Sequence, residues 1–200
     1  MNSLKNDVYV YEYHNALYIN PTNRCTNNCH FCIRNDRAGV GGHKLWIEHE
    51  PSSKEIIEEI GKHPGFKKIT FCGFGEPTIR LDVLKEVSAF AKENNMRVRV
   101  NTNGHANAYH GRDVLPELVG LVDMFSISLN TDDPKEYQEE CESQYGEKAY
   151  DYMLDFAKKS VEYGFETVLS VVDFISEEKI NSCRTIADSI GADFRIRHMA

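Results

Sequence analysis

The sequence predicts an α/β fold in which parallel strands are covered by helices. Six short runs rich in β-branched and aromatic residues alternate with segments that repeat apolar residues three and four apart. Length sets the limit: a closed eight-unit barrel usually takes about 250 residues, and this chain has 200. Six units therefore mean an incomplete barrel or an open doubly wound sheet, expected as one domain over residues 1–200. Either architecture puts function at the carboxyl ends of the strands.

The first strand is expected in "ALYIN" from Ala16, and it runs directly into "NRCTNNCHFCIRN", residues 23–35. The glycine-rich stretch "RAGVGGHKLW" follows as a long loop, of a kind that is usually functional or mobile. "PSSKEIIEEIGKH" then reads as a helix, with Ser52 or Ser53 capping its first turn, Gly61 closing it, and Ile56, Ile57 and Ile60 as the buried stripe. The second strand, "KKITFCG" from Lys67, leads through "GEPT" to the helix "RLDVLKEVSAFAKENN". "MRVRVN" and "DMFSISLN" are the third and fourth strands, separated by a weak helical segment at 114–119. A second weak helix at 134–140 and a strong one in "AYDYMLDFAKKSVEYG" lead to the fifth strand, "TVLSVVDF". "SEEKINSCRTIADSIG" is the last helix and "DFRIRHM" the sixth strand.

Charge narrows the partners. A net charge of −8 speaks against a nucleic-acid groove or an anionic membrane, since duplex binding rests on a large positive field. No apolar run approaches the roughly 20 residues that span a bilayer, and the polar start lacks a signal-peptide pattern. A cytoplasmic protein is expected. In that reducing compartment clustered cysteines read as metal or redox chemistry before disulfides.

Cys25, Cys29 and Cys32 lie within eight positions, directly after the first strand. Cys72, Cys141 and Cys183 are scattered and read as small packing residues. A structural zinc site wants four ligands, which here would need His30 or His43 as the fourth. An iron-sulfur cluster held by three thiolates would leave one iron open to a ligand.

The spacing C-x3-C-x2-C, with Phe31 just before the last cysteine, resembles the cluster loop of the radical S-adenosylmethionine (radical SAM) enzymes. The resemblance runs from Tyr18 to His198 and implies a partial (β/α)6 barrel. It also implies a 4Fe-4S cluster on Cys25, Cys29 and Cys32, and SAM chelating the open iron. One electron from the cluster would cleave SAM to a 5′-deoxyadenosyl radical that takes a hydrogen atom from a substrate. Cofactors carry such chemistry, and the protein supplies placement and exclusion of water.

Further motifs extend the likeness. "CGFGEPT" resembles the family's GGEP motif, with Phe74 at the usual second glycine; it would receive the methionine amino group through Gly73, Gly75 and Glu76. "NTNG" ends the third strand, and Thr102 and Asn103 are read either as ligand contacts or as a capped turn. In "SISLN", strand alternation places Ser126, Ser128 and Asn130 on one face; the resemblance makes Ser128 and Asn130 contacts for ribose and carboxylate. It also places Phe31 over the site, Val171 and Val172 near the adenine, and His198 beside it. Arg195 and Arg197 share a face and could hold a carboxylate or phosphate, or be merely solvated.

More narrowly, the chain resembles small radical SAM proteins associated with TatD-family hydrolases. Glycyl-radical enzyme activases and 7-carboxy-7-deazaguanine synthases bracket the alternatives in substrate. A flavodoxin or ferredoxin is the implied electron donor, and a TatD-like hydrolase a possible functional partner. With no carboxyl-terminal extension to follow, an auxiliary cluster is not expected. The loop from Arg34 to Trp46 is the expected lid. Its Arg34, Arg37, His43 and Lys44 either hint at a small anionic substrate or pair with local acids; a protein substrate is the other option. No catalytic side chain is identified. The competing class is a non-catalytic iron-sulfur or zinc regulatory module, which would need the cysteines but not "GFGEP" or "SISLN".

Overall fold

The computed structural model describes residues 7–36 and 39–198. The chain begins with a hairpin, β1 (Val10–Tyr13) and β2 (Ala16–Ile19). His14 and Asn15 both take positive φ at its turn, the backbone that suits the twist of a two-residue hairpin. A short helix α1 (Ile33–Asp36) and a small hairpin of β3 (Gly39–Val40) and β4 (His43–Lys44) follow. Next come α2 (Ser53–Gly61), β5 (Lys68–Phe71), α3 (Leu81–Glu93) and β6 (Arg97–Thr102). A short helix α4 (Ala106–His110) leads to β7 (Met124–Ser128), followed by α5 (Pro134–Cys141) and α6 (Lys148–Glu162). The chain closes with β8 (Glu166–Val172), α7 (Glu177–Ile190) and β9 (Asp193–Arg197).

The sheet runs β1-β2-β5-β6-β7-β8-β9, parallel throughout except for the antiparallel β1–β2 pair. Spatial order equals chain order. A doubly wound sheet would reverse direction partway and put helices on both faces. Unreversed right-handed crossovers put every helix on one side. The architecture is thus a partial (β/α)6 barrel, and its two edge strands, β1 and β9, do not pair with each other.

The six expected strands all form; β1 and the small β3–β4 hairpin are additions. The expected helix at 114–119 is instead a 3-10 turn at Leu115–Glu117, with Pro116 at its start. The helix expected at 134–140 forms, capped by Asp133.

Alternation divides the sheet into two environments. Leu17, Ile19, Ile69, Phe71, Val98, Val100, Phe125, Ile127, Leu169 and Val171 point outward and are buried under the helices. Ile56 and Ile60 of α2, Leu84 and Val87 of α3, Met153 and Phe156 of α6 and Ala187 of α7 complete that core. Cys183 lies in it as a packing residue. Ser52 starts α2 with a capping box closed by Glu55.

The inner face is polar. Tyr18, Thr70, Arg99, Asn101, Ser126, Ser128, Ser170, Arg195 and Arg197 occupy its rows in the strand register. At the β1 edge, the β3–β4 hairpin folds over this face. Leu45 is buried with Tyr11 and Phe74, and Val40, Tyr13 and Tyr18 pack around them. Part of the expected lid is therefore fixed structure, while Arg37 lies outside the described residues. No helix among the described residues is long and apolar enough to cross a membrane.

Candidate active site

The three-cysteine loop leaves β2 at the carboxyl end of the sheet and is held from two directions. From the end of β6, Asn103 Nδ2 donates to Thr26 Oγ1 at 2.8 Å and lies 3.8 Å from Cys25 Sγ. Thr26 Oγ1 in turn sits 3.2 Å from His105 Nδ1. The other imidazole nitrogen faces the Ala149 carbonyl at 3.0 Å. From the end of α5, the Cys141 and Glu140 carbonyls accept the amides of Asn28 at 2.9 Å and His30 at 3.0 Å. Within the loop, Arg34 donates to the Asn27 carbonyl and to Asn28 Oδ1, both at 3.2 Å. Arg34 thus braces the loop.

Burial governs the thiols. It pushes Cys25 up to about 12, with the Glu76 carboxylate adding to it. Cys29 is raised first because it donates to Cys141 and then by burial, and burial also raises Cys32. Bound iron would offset this cost, because coordination deprotonates a thiol outright. Among the described residues no three His, Cys, Asp or Glu side chains converge where one metal ion could sit. A cluster that gives each thiolate a different iron does not require such convergence. The two fourth-ligand candidates for zinc are engaged elsewhere: His30 Nε2 faces Glu142 at 3.1 Å on a side chain 60% exposed, and the His43 ring lies 5.4 Å from Tyr11.

Glu76 joins the second and third strand ends. Its Oε1 accepts from Thr78 N (3.1 Å), Thr78 Oγ1 (2.7 Å) and Thr102 Oγ1 (2.8 Å), and its Oε2 from Asn103 N (2.7 Å). Burial raises the carboxyl above the ordinary glutamate range, and these four donors pull against it. The motif's glutamate serves here as an internal brace between the two strand ends.

The motif's glycines have a packing reason that sequence reading did not supply. A Cβ on Gly75 would stand 2.4 Å from the Thr22 carbonyl oxygen and 2.5 Å from that of Arg24. On Gly73, at φ +134°, it would stand 2.2 Å from Asn20 Oδ1. Both glycines let this turn lie directly on the loop that leads to the cysteines.

Other expected contacts are spent inside the chain. Thr102 Oγ1 caps Gly104 N at 3.0 Å besides meeting Glu76, and Asn103 Oδ1 accepts from His105 N at 3.1 Å. The capping bonds of the turn are thus present at both residues. Asn130, buried at φ +65°, accepts from Arg197 at 3.1 Å through Oδ1 and donates to Cys141 Sγ at 3.3 Å through Nδ2. Ser128 keeps its half-buried hydroxyl on the inner face, 3.5 Å from Arg197. Phe31 packs against Phe174, ring centroids 5.0 Å apart. His198 lies 2.7 Å from Asp173 at the sixth strand end. Val171 belongs to the outer core, so only Val172 of that pair faces inward.

Thr26, His105, Cys141 and Phe174 were missed because each acts through a partner far away in sequence. "NTNGH" was the one local signal for His105.

These residues fit the implied cofactors. The three thiols of one loop stand at the carboxyl ends of parallel strands, with the Cys141 thiol against Cys29, and Asn27 Oδ1, Asn101 Oδ1, Arg99 Nε and Arg197 Nε are buried polar atoms without protein partners. Together they define a cofactor-dependent barrel enzyme whose chemistry sits at the mouth.

The model of the radical SAM superfamily matches residues 19–189. The chain belongs to that superfamily, whose enzymes use a 4Fe-4S cluster and SAM. It is 30% identical over 121 residues to the tungsten-containing aldehyde ferredoxin oxidoreductase cofactor-modifying protein of Pyrococcus furiosus, covering 57% of this chain and 30% of that protein. Its fold is similar to that of Streptococcus suis SuiB bound to the precursor peptide SuiA (TM-score 0.69, 20% identity, 96% of this chain and 40% of that one). The FeFe-hydrogenase maturase HydG of Carboxydothermus hydrogenoformans is similar too (TM-score 0.65, 17% identity, 92% and 43%). The chain spans less than half the length of each.

Proposed function

We propose that this chain catalyses reductive cleavage of SAM and uses the resulting radical to take a hydrogen atom from a substrate. The observation that carries the reading is the loop of Cys25, Cys29 and Cys32, three thiols presented together by one loop at the barrel mouth. When bound, the cluster supplies the electron that splits SAM into methionine and a 5′-deoxyadenosyl radical.

The chain's own part is placement. Cys25, Cys29 and Cys32 hold the cluster. Asn103, Thr26 and His105 fix the loop that presents them. Gly73 and Gly75 bring the second strand end against that loop and leave its carbonyls for the methionine amino group, while Glu76 holds the turn's shape. Ser128 offers a hydroxyl, and Phe31 with Phe174 forms an apolar cover that keeps water from the mouth.

The electron donor is proposed to be a flavodoxin or ferredoxin, the setting the cytoplasm, and a TatD-like hydrolase a functional companion. These rest on resemblance. The relatives' names mention a cofactor-modifying protein, a precursor peptide and a hydrogenase maturase; for this chain a small anionic molecule and a protein are the two substrate classes to compare.

Anaerobic reconstitution tests the reading. The expected result is about four irons per chain and 5′-deoxyadenosine released with a low-potential reductant. Cys25→Ala, Cys29→Ala and Cys32→Ala should each lose the cluster. One bound zinc and no SAM cleavage after iron loading would favour a regulatory module instead.

A further inference from the structure

Two groups stand out among the arginines of this acidic chain; apart from them, Arg34 braces the cysteine loop and Arg184 stacks over Phe194. Arg24, Arg80, Arg97 and Arg112 each pair with a glutamate. Arg99, Arg195 and Arg197 make no ion pair among the described residues, yet all three stand on the inner face of the sheet.

Strand register brings them together. Arg99 lies in the row of Tyr18 and Thr70, while Arg195 and Arg197 lie across β8 on the facing edge strand. Burial holds both Arg99 and Arg197 below the ordinary guanidinium range; Arg195 adds to this at each, and Arg99 adds to it at Arg197, while the Cys72 side chain opposes it at both. The Nε atoms of both are buried with no acceptor. Arg197 spends one nitrogen on Asn130 and Ser128. Two carboxylates begin strands on this same face, Glu166 and Asp193; Glu166 is taken by Arg97, and Asp193 makes no ion pair with the three.

Mutually repelling cations in a partly desolvated interior are costly unless an anion joins them. Guanidinium forks match the paired oxygens of carboxylates and phosphates.

We infer that the inner face of the barrel is an anion-binding site, in which Arg99, Arg195 and Arg197 hold a doubly charged oxyanion group of the substrate, a dicarboxylate or a phosphate. Its use as a substrate site rests on the proposed radical chemistry; anion binding itself rests on the arginines alone. The site lies on the strands, inside the mouth where the cysteines sit, which is where a molecule must lie to present a hydrogen atom to a radical formed there.

The test is calorimetric titration of the reconstituted protein under anaerobic conditions and constant ionic strength. The probes are inorganic phosphate, succinate and, as uncharged control, succinamide. Saturable binding of phosphate or succinate, without binding of succinamide, is expected, and the stronger of the two probes identifies the anion class. Arg99→Gln and Arg195→Gln should each weaken it about tenfold or more, and Arg97→Gln, at the paired rim, should leave it unchanged. Arg195 is exposed, so its variant keeps the test open if Arg99→Gln fails to fold.

SAM affinity, measured separately by equilibrium dialysis, should be unaffected by either variant. The inference is overturned if neither anion binds, if both arginine variants bind as the parent does, or if SAM affinity falls in parallel, which would assign the arginines to the SAM carboxylate. Anion binding without 5′-deoxyadenosine release would defeat the proposed reaction and leave this site standing; the reverse result would defeat only the site.

Discussion

His105 shows how one side chain ties stability to acidity. Burial lowers its pKa from 6.5 to about 4, opposed only by its bond to Ala149. The folded state therefore binds fewer protons than the unfolded state between those values, and stability falls as pH drops through that window. The loss amounts to roughly 3 kcal/mol and is complete below about pH 4. Urea midpoints measured from pH 7 down to pH 4 should decline for the parent and decline less for His105→Gln; equal slopes would contradict the assignment. Glu76 gives a second test. Glu76→Gln replaces an acceptor surrounded by four donors with a group that must turn its own donor toward one of them, at a cost of about 2 kcal/mol, measurable in the same urea titration at pH 7. Of these two, only Glu76 was visible in the sequence, and there as a ligand contact. Its partners Thr102 and Asn103 lie a whole strand and helix away, so no local pattern could show that the carboxylate closes inward.

At the level of elements, the turn between β5 and α3 is packed backbone to backbone on the loop after β2. Gly75→Ala would drive a methyl group into two carbonyl oxygens that cannot step aside. It should destabilise the fold by about 2–3 kcal/mol and lower iron retention after reconstitution, whereas Gly61→Ala, with open space at its Cβ and no positive φ, should keep full iron. The six parallel strands were legible because each is a β-rich run bounded by turn residues. The hairpin partner β1, "VYEY" before "HN", lies outside the six expected strands, because four residues are too few for alternation to stand out. The segment at 114–119 has helical spacing but begins against Pro116, and no flanking residues extend it. The small β3–β4 hairpin was hidden in glycine-rich sequence, where two-residue strands leave no periodicity.

For the whole molecule, the decisive property is strand order without reversal, which separates an apolar outer face from a polar inner one. Sequence alternation in "MFSIS" and "RVRVNT" already displayed the two faces, but the choice between an open sheet and a partial barrel needed the crossovers to be seen in space. Central strands should be the most stable part. Phe125 and Ile127 of β7 are fully buried, whereas β9 is half exposed along its length. Amide hydrogen exchange should accordingly be slowest in β7 and measurably faster in β9; equal protection of the two would contradict this picture.

The long-range ties of the cysteine loop also fix an order in time. His30 meets Glu142 across 112 positions, and the Asn28 amide meets the Cys141 carbonyl. During synthesis the three thiols leave the ribosome on the order of ten seconds before those partners do. Through that interval they belong to an unshaped nascent chain, exposed to any oxidant or stray metal. The loop can take its final shape only once the segment around Glu142 has been made, so stable iron loading is expected to follow synthesis of α5.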